Sequence, residues 1–117
     1  MVVESKETNF RILSPVLVNL YNLQCIVGGA AAMLSAEINV LVTDGEILEG
    51  IQLTYNGNPP NNAPEFQGTS SPFPGTTIHN YTWNESVSCG ATYNVEVVAS
   101  VILKKSSGVQ AITCGPC

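Results

Sequence analysis

The sequence predicts an all-β domain, a two-sheet antiparallel β-sandwich of about seven strands, and three observations carry that prediction. Apolar residues recur at every second position through most of the chain, the period of a strand buried on one face. Turn signals rich in Gly, Asn and Asp separate these runs. No stretch of ten or more residues keeps a helical period. At 117 residues the chain makes one domain, with enough material for a two-layer core.

The elements follow in order. "VLVNLYN" places Val16, Val18 and Leu20 on one face, and a second short run follows from Leu23 to Val27 before Gly28-Gly29 turns the chain. "MLSAEINVLVTDG" turns Leu34, Ala36, Ile38, Val40 and Val42 inward and ends at the turn pair Asp44-Gly45. "GIQLTYNG" turns Ile51, Leu53 and Tyr55 inward and stops at Asn56-Gly57. Residues 56–76 hold five of the seven prolines, so they read as a long loop or a loop with an edge strand, pinned to the body by Phe66 and Phe73. "TIHNYTWNE" sets His79, Tyr81 and Trp83 on one side and Asn80, Thr82 and Asn84 on the other. "TYNVEVVASVIL" is the clearest strand, with Tyr93, Val95, Val97, Ala99, Val101 and Leu103 sharing a face. "KKSSG" turns the chain, and "VQAIT" runs back to the terminal cysteines.

The segment "VSCGATYNVEVVA" resembles the fibronectin type III run in which Leu, Pro-Gly-Thr and Tyr precede a Val-alternating sixth strand. Val87, Gly90 and Tyr93 match that spacing, while Cys89 and Ala91 depart from it. The only tryptophan, Trp83, sits on the fifth strand rather than an early one. The resemblance implies a fibronectin type III or immunoglobulin-like sandwich spanning residues 15–117. It also implies that Tyr93 is a corner tyrosine whose hydroxyl bonds the preceding loop. Residues 1–14 precede that domain as an N-terminal arm, in which Phe10, Ile12 and Leu13 supply the apolar positions.

Such a topology gathers alternate loops and the end of the last strand at one pole, and with them Cys25, Cys89, Cys114 and Cys117. The expectation is two disulfides, with Cys25 and Cys89 each paired to one residue of the terminal "CGPC". A Cys114–Cys117 bridge and pairing between chains are the alternatives. The tetrapeptide also spells a thioredoxin-type dithiol, but no helix follows to lower a thiol pKa and no βαβ scaffold surrounds it. A four-thiolate zinc site would need a second C-x-x-C half-site, which Cys25 and Cys89 do not form. No metal and no cofactor are expected.

Charged residues make up only 11% of the chain against about 25% in an ordinary domain. Four Lys+Arg against nine Asp+Glu argue against nucleic acid, whose binding needs clustered cations. Ile12 to Ala36 is free of charge, but Pro15, Asn19, Asn22 and Gln24 interrupt it and its apolar residues alternate, so no membrane span is expected. "MVVESKETNF" has neither the basic start nor the apolar run of a secretion signal, so a removed leader or another export route is expected. His79 is the only histidine and Asp44 the only aspartate, which leaves little for a catalytic triad or a histidine–metal cluster. Asp44, Glu46 and Glu49 share one loop, where turn chemistry accounts for them without calcium.

Two N-glycosylation acceptors, "NYT" at Asn80 and "NES" at Asn84, lie on the face opposite Tyr81 and Trp83. The expected function is a non-enzymatic structural subunit, located extracellularly or on a cell or virion surface. It would form a homo-oligomer or fibre through its N-terminal arm and its disulfides. The alternative is a carbohydrate- or protein-binding adhesion module that uses the proline-rich loop with Phe66 and Phe73.

Overall fold

The computed structural model describes residues 16–29, 31–101 and 104–117. Among the described residues seven strands follow one another: β1 (Val16–Gly28), β2 (Ala31–Thr43), β3 (Gly50–Tyr55), β4 (Glu65–Ser70), β5 (Thr76–Ser88), β6 (Thr92–Val101) and β7 (Lys104–Thr113). One sheet has the order β1-β2-β5-β4 and the other β3-β6-β7, and every pairing is antiparallel. The proline-rich segment is thus a loop plus an edge strand. Leu103 and the arm residues Phe10, Ile12 and Leu13 lie outside the described residues.

The core is the sum of the alternating faces. Val16, Val18 and Leu20 of β1 meet Leu34, Ala36, Ile38, Val40 and Val42 of β2, with Trp83 of β5 beside them. Leu53, Tyr93, Val95, Val97, Ala99 and Val101 close over them from the other sheet. Each fully buried Val or Leu side chain contributes about 1.5–3 kcal/mol relative to exposure. The inner face of β7 is different, because Gly108 and Ser106 stand opposite Val97 and Ala99. A Cβ on Gly108 would lie 3.2 Å from Val18 Cγ1, so a side chain there would press on β1 and ask Val18 to shift by a few tenths of an ångström.

Two turns show the backbone chemistry plainly. Asn56 and Gly57 both have positive φ, 49° and 78°, and Tyr55 and Asn58 exchange N–H···O bonds around them. That is the two-residue turn that Asn-Gly favours, since Asn tolerates the left-handed region and Gly enters it freely. At the other end of β3, the N–H of Glu46 bonds the carbonyl of Thr43 across Asp44 and Gly45.

The runs Val16–Tyr21 and Leu23–Val27 are one strand, not two, joined by a β-bulge. Tyr21 pairs with Glu37 and Gln24 with Ser35, so Asn22 and Leu23 stand opposite Ala36 alone. Asn22 takes φ 53°, the left-handed conformation that Asn tolerates best after Gly. The extra residue reverses the alternation. Even positions point inward before the bulge, and Leu23 and Cys25 pack against the core after it.

Candidate functional site

The connections β1–β2, β3–β4 and β5–β6 meet at one pole, and the chain ends there. Without the bulge Cys25 would face solvent. With it, Cys25 bridges Cys114, which is fully buried at the end of β7. Cys89, just past β5, bridges Cys117. Each isolated cysteine therefore pairs with one residue of the terminal tetrapeptide, and no thiol is left free. Neither a C-x-x-C dithiol nor a four-thiolate zinc site exists in this arrangement. Among the described residues no group of three or more His, Cys, Asp or Glu is placed to hold a metal ion.

Backbone bonds reinforce the bridges. The N–H of Gly90 reaches the Cys114 carbonyl at 2.6 Å, and the N–H of Cys114 reaches the Ala91 carbonyl at 2.9 Å. Gly90 has φ 95°, which side-chain-bearing residues rarely adopt. One layer down, the Tyr93 hydroxyl donates to the Ser88 carbonyl at 2.7 Å. Tyr55 lies 6.0 Å from both Trp83 and Tyr93, ring centre to ring centre.

The long loop is held by a buried carboxylate on β5. Glu85 is 1% exposed, and its carboxylate accepts the N–H groups of Asn61 and Asn62 and the hydroxyl of Tyr55. Those three donors replace the water that a buried carboxylate loses. The Trp83 indole donates to the Asn62 carbonyl at 2.8 Å, and the Asn62 side-chain amide donates to the Asn84 carbonyl at 3.0 Å. Parity already points to Glu85, since it follows Tyr81 and Trp83 on the inward face. As the middle residue of "NES" it passes for part of an acceptor motif instead.

The expected pinning by Phe66 and Phe73 is at most partial, because both rings are more than half exposed and only Phe66 packs on aromatic rings of β5. Phe66 is 53% and Phe73 57% exposed. Phe66, on edge strand β4, contacts Tyr81 at 5.4 Å and His79 at 6.3 Å between ring centres. Phe73 lies in the β4–β5 connection at the opposite pole from the cysteines. The two rings therefore do not act together, and backbone N–H groups on Glu85 anchor the loop.

The two acceptor asparagines occupy different settings. Asn80 sits in mid-sheet between Asn39 and Gly68, and its amide donates to the Gly68 carbonyl and Ser70 Oγ. Asn84 is exposed and opens on a polar groove of about 510 Å³ shared with Asn61, Asn62, Glu65 and Thr82. Among the described residues no helix is long and apolar enough to cross a membrane, and the uncharged stretch from Val16 onward forms β1 and the start of β2. Comparison with family models, with curated proteins and with solved structures finds no match, so the reading of this site rests on its own geometry.

Proposed function

We propose that this chain is a non-enzymatic structural subunit of an extracellular assembly, an immunoglobulin-like module joined to its neighbours through the N-terminal arm. The order β1-β2-β5-β4 against β3-β6-β7 supports the immunoglobulin-like reading, because it reproduces the ABED and CFG sheets of constant-type domains. Two disulfides within the chain support an oxidising compartment. The observation that carries the assembly reading is β1 itself. Among the described residues it is a 13-residue strand at the edge of its sheet with no charged residue, and it exposes Leu17, Ile26 and Val27. Monomeric proteins guard such an edge with Lys, Pro or very short strands. Size-exclusion chromatography and electron microscopy of the full chain and of a chain lacking residues 1–13 test the reading. Assembly is expected for the first and not for the second, with the fold of both retained by circular dichroism.

A second reading, a carbohydrate- or protein-binding module, draws support from the exposed Phe66 ring beside Tyr81 and His79 and from the polar groove at Asn84. A dilute monomer whose binding to a glycan panel is lost in Phe66→Ala would favour it over assembly.

A further inference from the structure

We infer that assembly is pole to pole: the apolar residues of one copy's arm, Phe10, Ile12 and Leu13, seat on the β1–β2 hairpin tip of the next copy. This rests on the assembly reading above and names its contact. The tip carries a mostly apolar depression of about 270 Å³, lined by Ile26, Val27, Gly28, Ala31, Ala32 and Met33, with Ser86 as its one polar side chain. Ile26, Val27 and Met33 are 57%, 37% and 42% exposed, a large apolar share for three neighbouring residues on a strand end.

Reach decides whether Phe10, Ile12 and Leu13 can fill it within one chain. The arm joins the domain at Val16, at the pole opposite the hairpin tip. Ile26 pairs with Met33 and Val16 with Val42, so the tip lies nine steps of β2 away, about 30 Å at ~3.4 Å per residue. Phe10 is six residues before Val16, so even fully extended it travels about 20 Å from that point. Ile12 and Leu13 travel less. A chain's own arm anchors therefore fall about 10 Å short of its own tip, while the tip of a copy stacked below is within their range. A contact between unlike ends of identical subunits does not close on itself without a bend, so the product is a linear filament along the strand axis.

The test uses two full-fold variants and their mixture. Ile26→Glu keeps the arm and spoils the tip; deletion of residues 1–13 keeps the tip and removes the arm. Analytical ultracentrifugation is expected to show polymers for the natural chain and monomers for each variant alone, with self-association at least tenfold weaker. An equimolar mixture of the two is expected to give a 1:1 dimer that grows no further, because only one working contact remains. A mixture that stays monomeric, or an Ile26→Glu chain that polymerises normally, overturns the pole-to-pole contact while leaving assembly through the arm intact. A natural chain that stays monomeric at all concentrations overturns the assembly reading itself. Should Ile26→Glu lose its circular dichroism spectrum, Met33→Glu replaces it in the same scheme.

Discussion

The Tyr55 hydroxyl of one sheet donates to the Glu85 carboxylate of the other at 3.2 Å, and this bond ties the two layers together beside the disulfide pole. The same carboxylate collects the N–H groups of Asn61 and Asn62 at 2.8 and 2.9 Å. One side chain therefore holds the sheets and the β3–β4 loop in register.

Replacing that side chain is expected to be costly. Glu85→Ala leaves two backbone N–H groups and a tyrosine hydroxyl without their acceptor, at about 1–3 kcal/mol for each group that stays buried. Glu85→Gln keeps one acceptor oxygen and is expected to cost less. Urea unfolding of both variants measures the difference, and limited proteolysis is expected to cut within residues 58–64 first. A Glu85→Ala chain as stable as the natural one would remove Glu85 from this role.

Alkaline pH is expected to weaken the fold through three tyrosines. Burial raises the Tyr55 hydroxyl above its ordinary 10.0, and the Glu85 carboxylate pushes the same way. Burial, then Glu37, raises Tyr21, and burial raises Tyr81. A raised folded value means that the folded state keeps its proton longer than the unfolded chain. The associated stability is complete below 10.0 and is lost as pH climbs through the folded values. Tyrosinate absorbance is expected to rise late in the natural chain, and the Tyr55 share of it earlier in Glu85→Gln.

Tyr93 is expected to separate core from loop. Tyr93→Ala removes a buried ring and the hydroxyl that bonds the Ser88 carbonyl, a combined cost of about 3–5 kcal/mol. Tyr93→Phe is expected to lose only the hydrogen bond, about 1 kcal/mol. Phe73→Ala, at an exposed ring, is expected to leave the melting temperature nearly unchanged. Equal melting temperatures for Tyr93→Ala and Phe73→Ala would contradict this packing.

The bridges are expected to differ in value and in access. Cys25–Cys114 spans 89 residues and Cys89–Cys117 spans 28. Loop-closure entropy gives about 4.6 and about 3.6 kcal/mol, so removing the longer one is expected to cost about 1 kcal/mol more. Cys117 is exposed and Cys114 fully buried, so stepwise reduction with alkylation and mass spectrometry is expected to label Cys89 and Cys117 first. Simultaneous labelling of all four would contradict that order.

Much of this architecture was legible residue by residue. Period-two alternation identified the inward faces of β2 and β6, because one methylene-rich face against a core leaves only one register in which the apolar set is buried. Asn56-Gly57 announced its turn because few other pairs enter the left-handed region twice at low cost. The fibronectin-like frame implied a Tyr93 hydroxyl bonded to the preceding loop, and the structure puts its acceptor at Ser88, the last residue of β5; the pole argument gathered the cysteines. What escaped that reading is what depends on distance across the fold. The Asn22 bulge is invisible to alternation because it breaks it, yet it alone turns Cys25 toward Cys114. Glu85 reads as a polar strand residue until a loop more than twenty positions earlier brings two N–H groups to it. Phe66 and Phe73 read as anchors because large apolar rings are usually buried. The tertiary structure exposes both, since β4 stands at a sheet edge and the β4–β5 turn lies beyond the core. Local propensity and periodicity thus determined the strands and their faces. Which polar group is buried, and which cysteine meets which, was decided only when the two sheets closed.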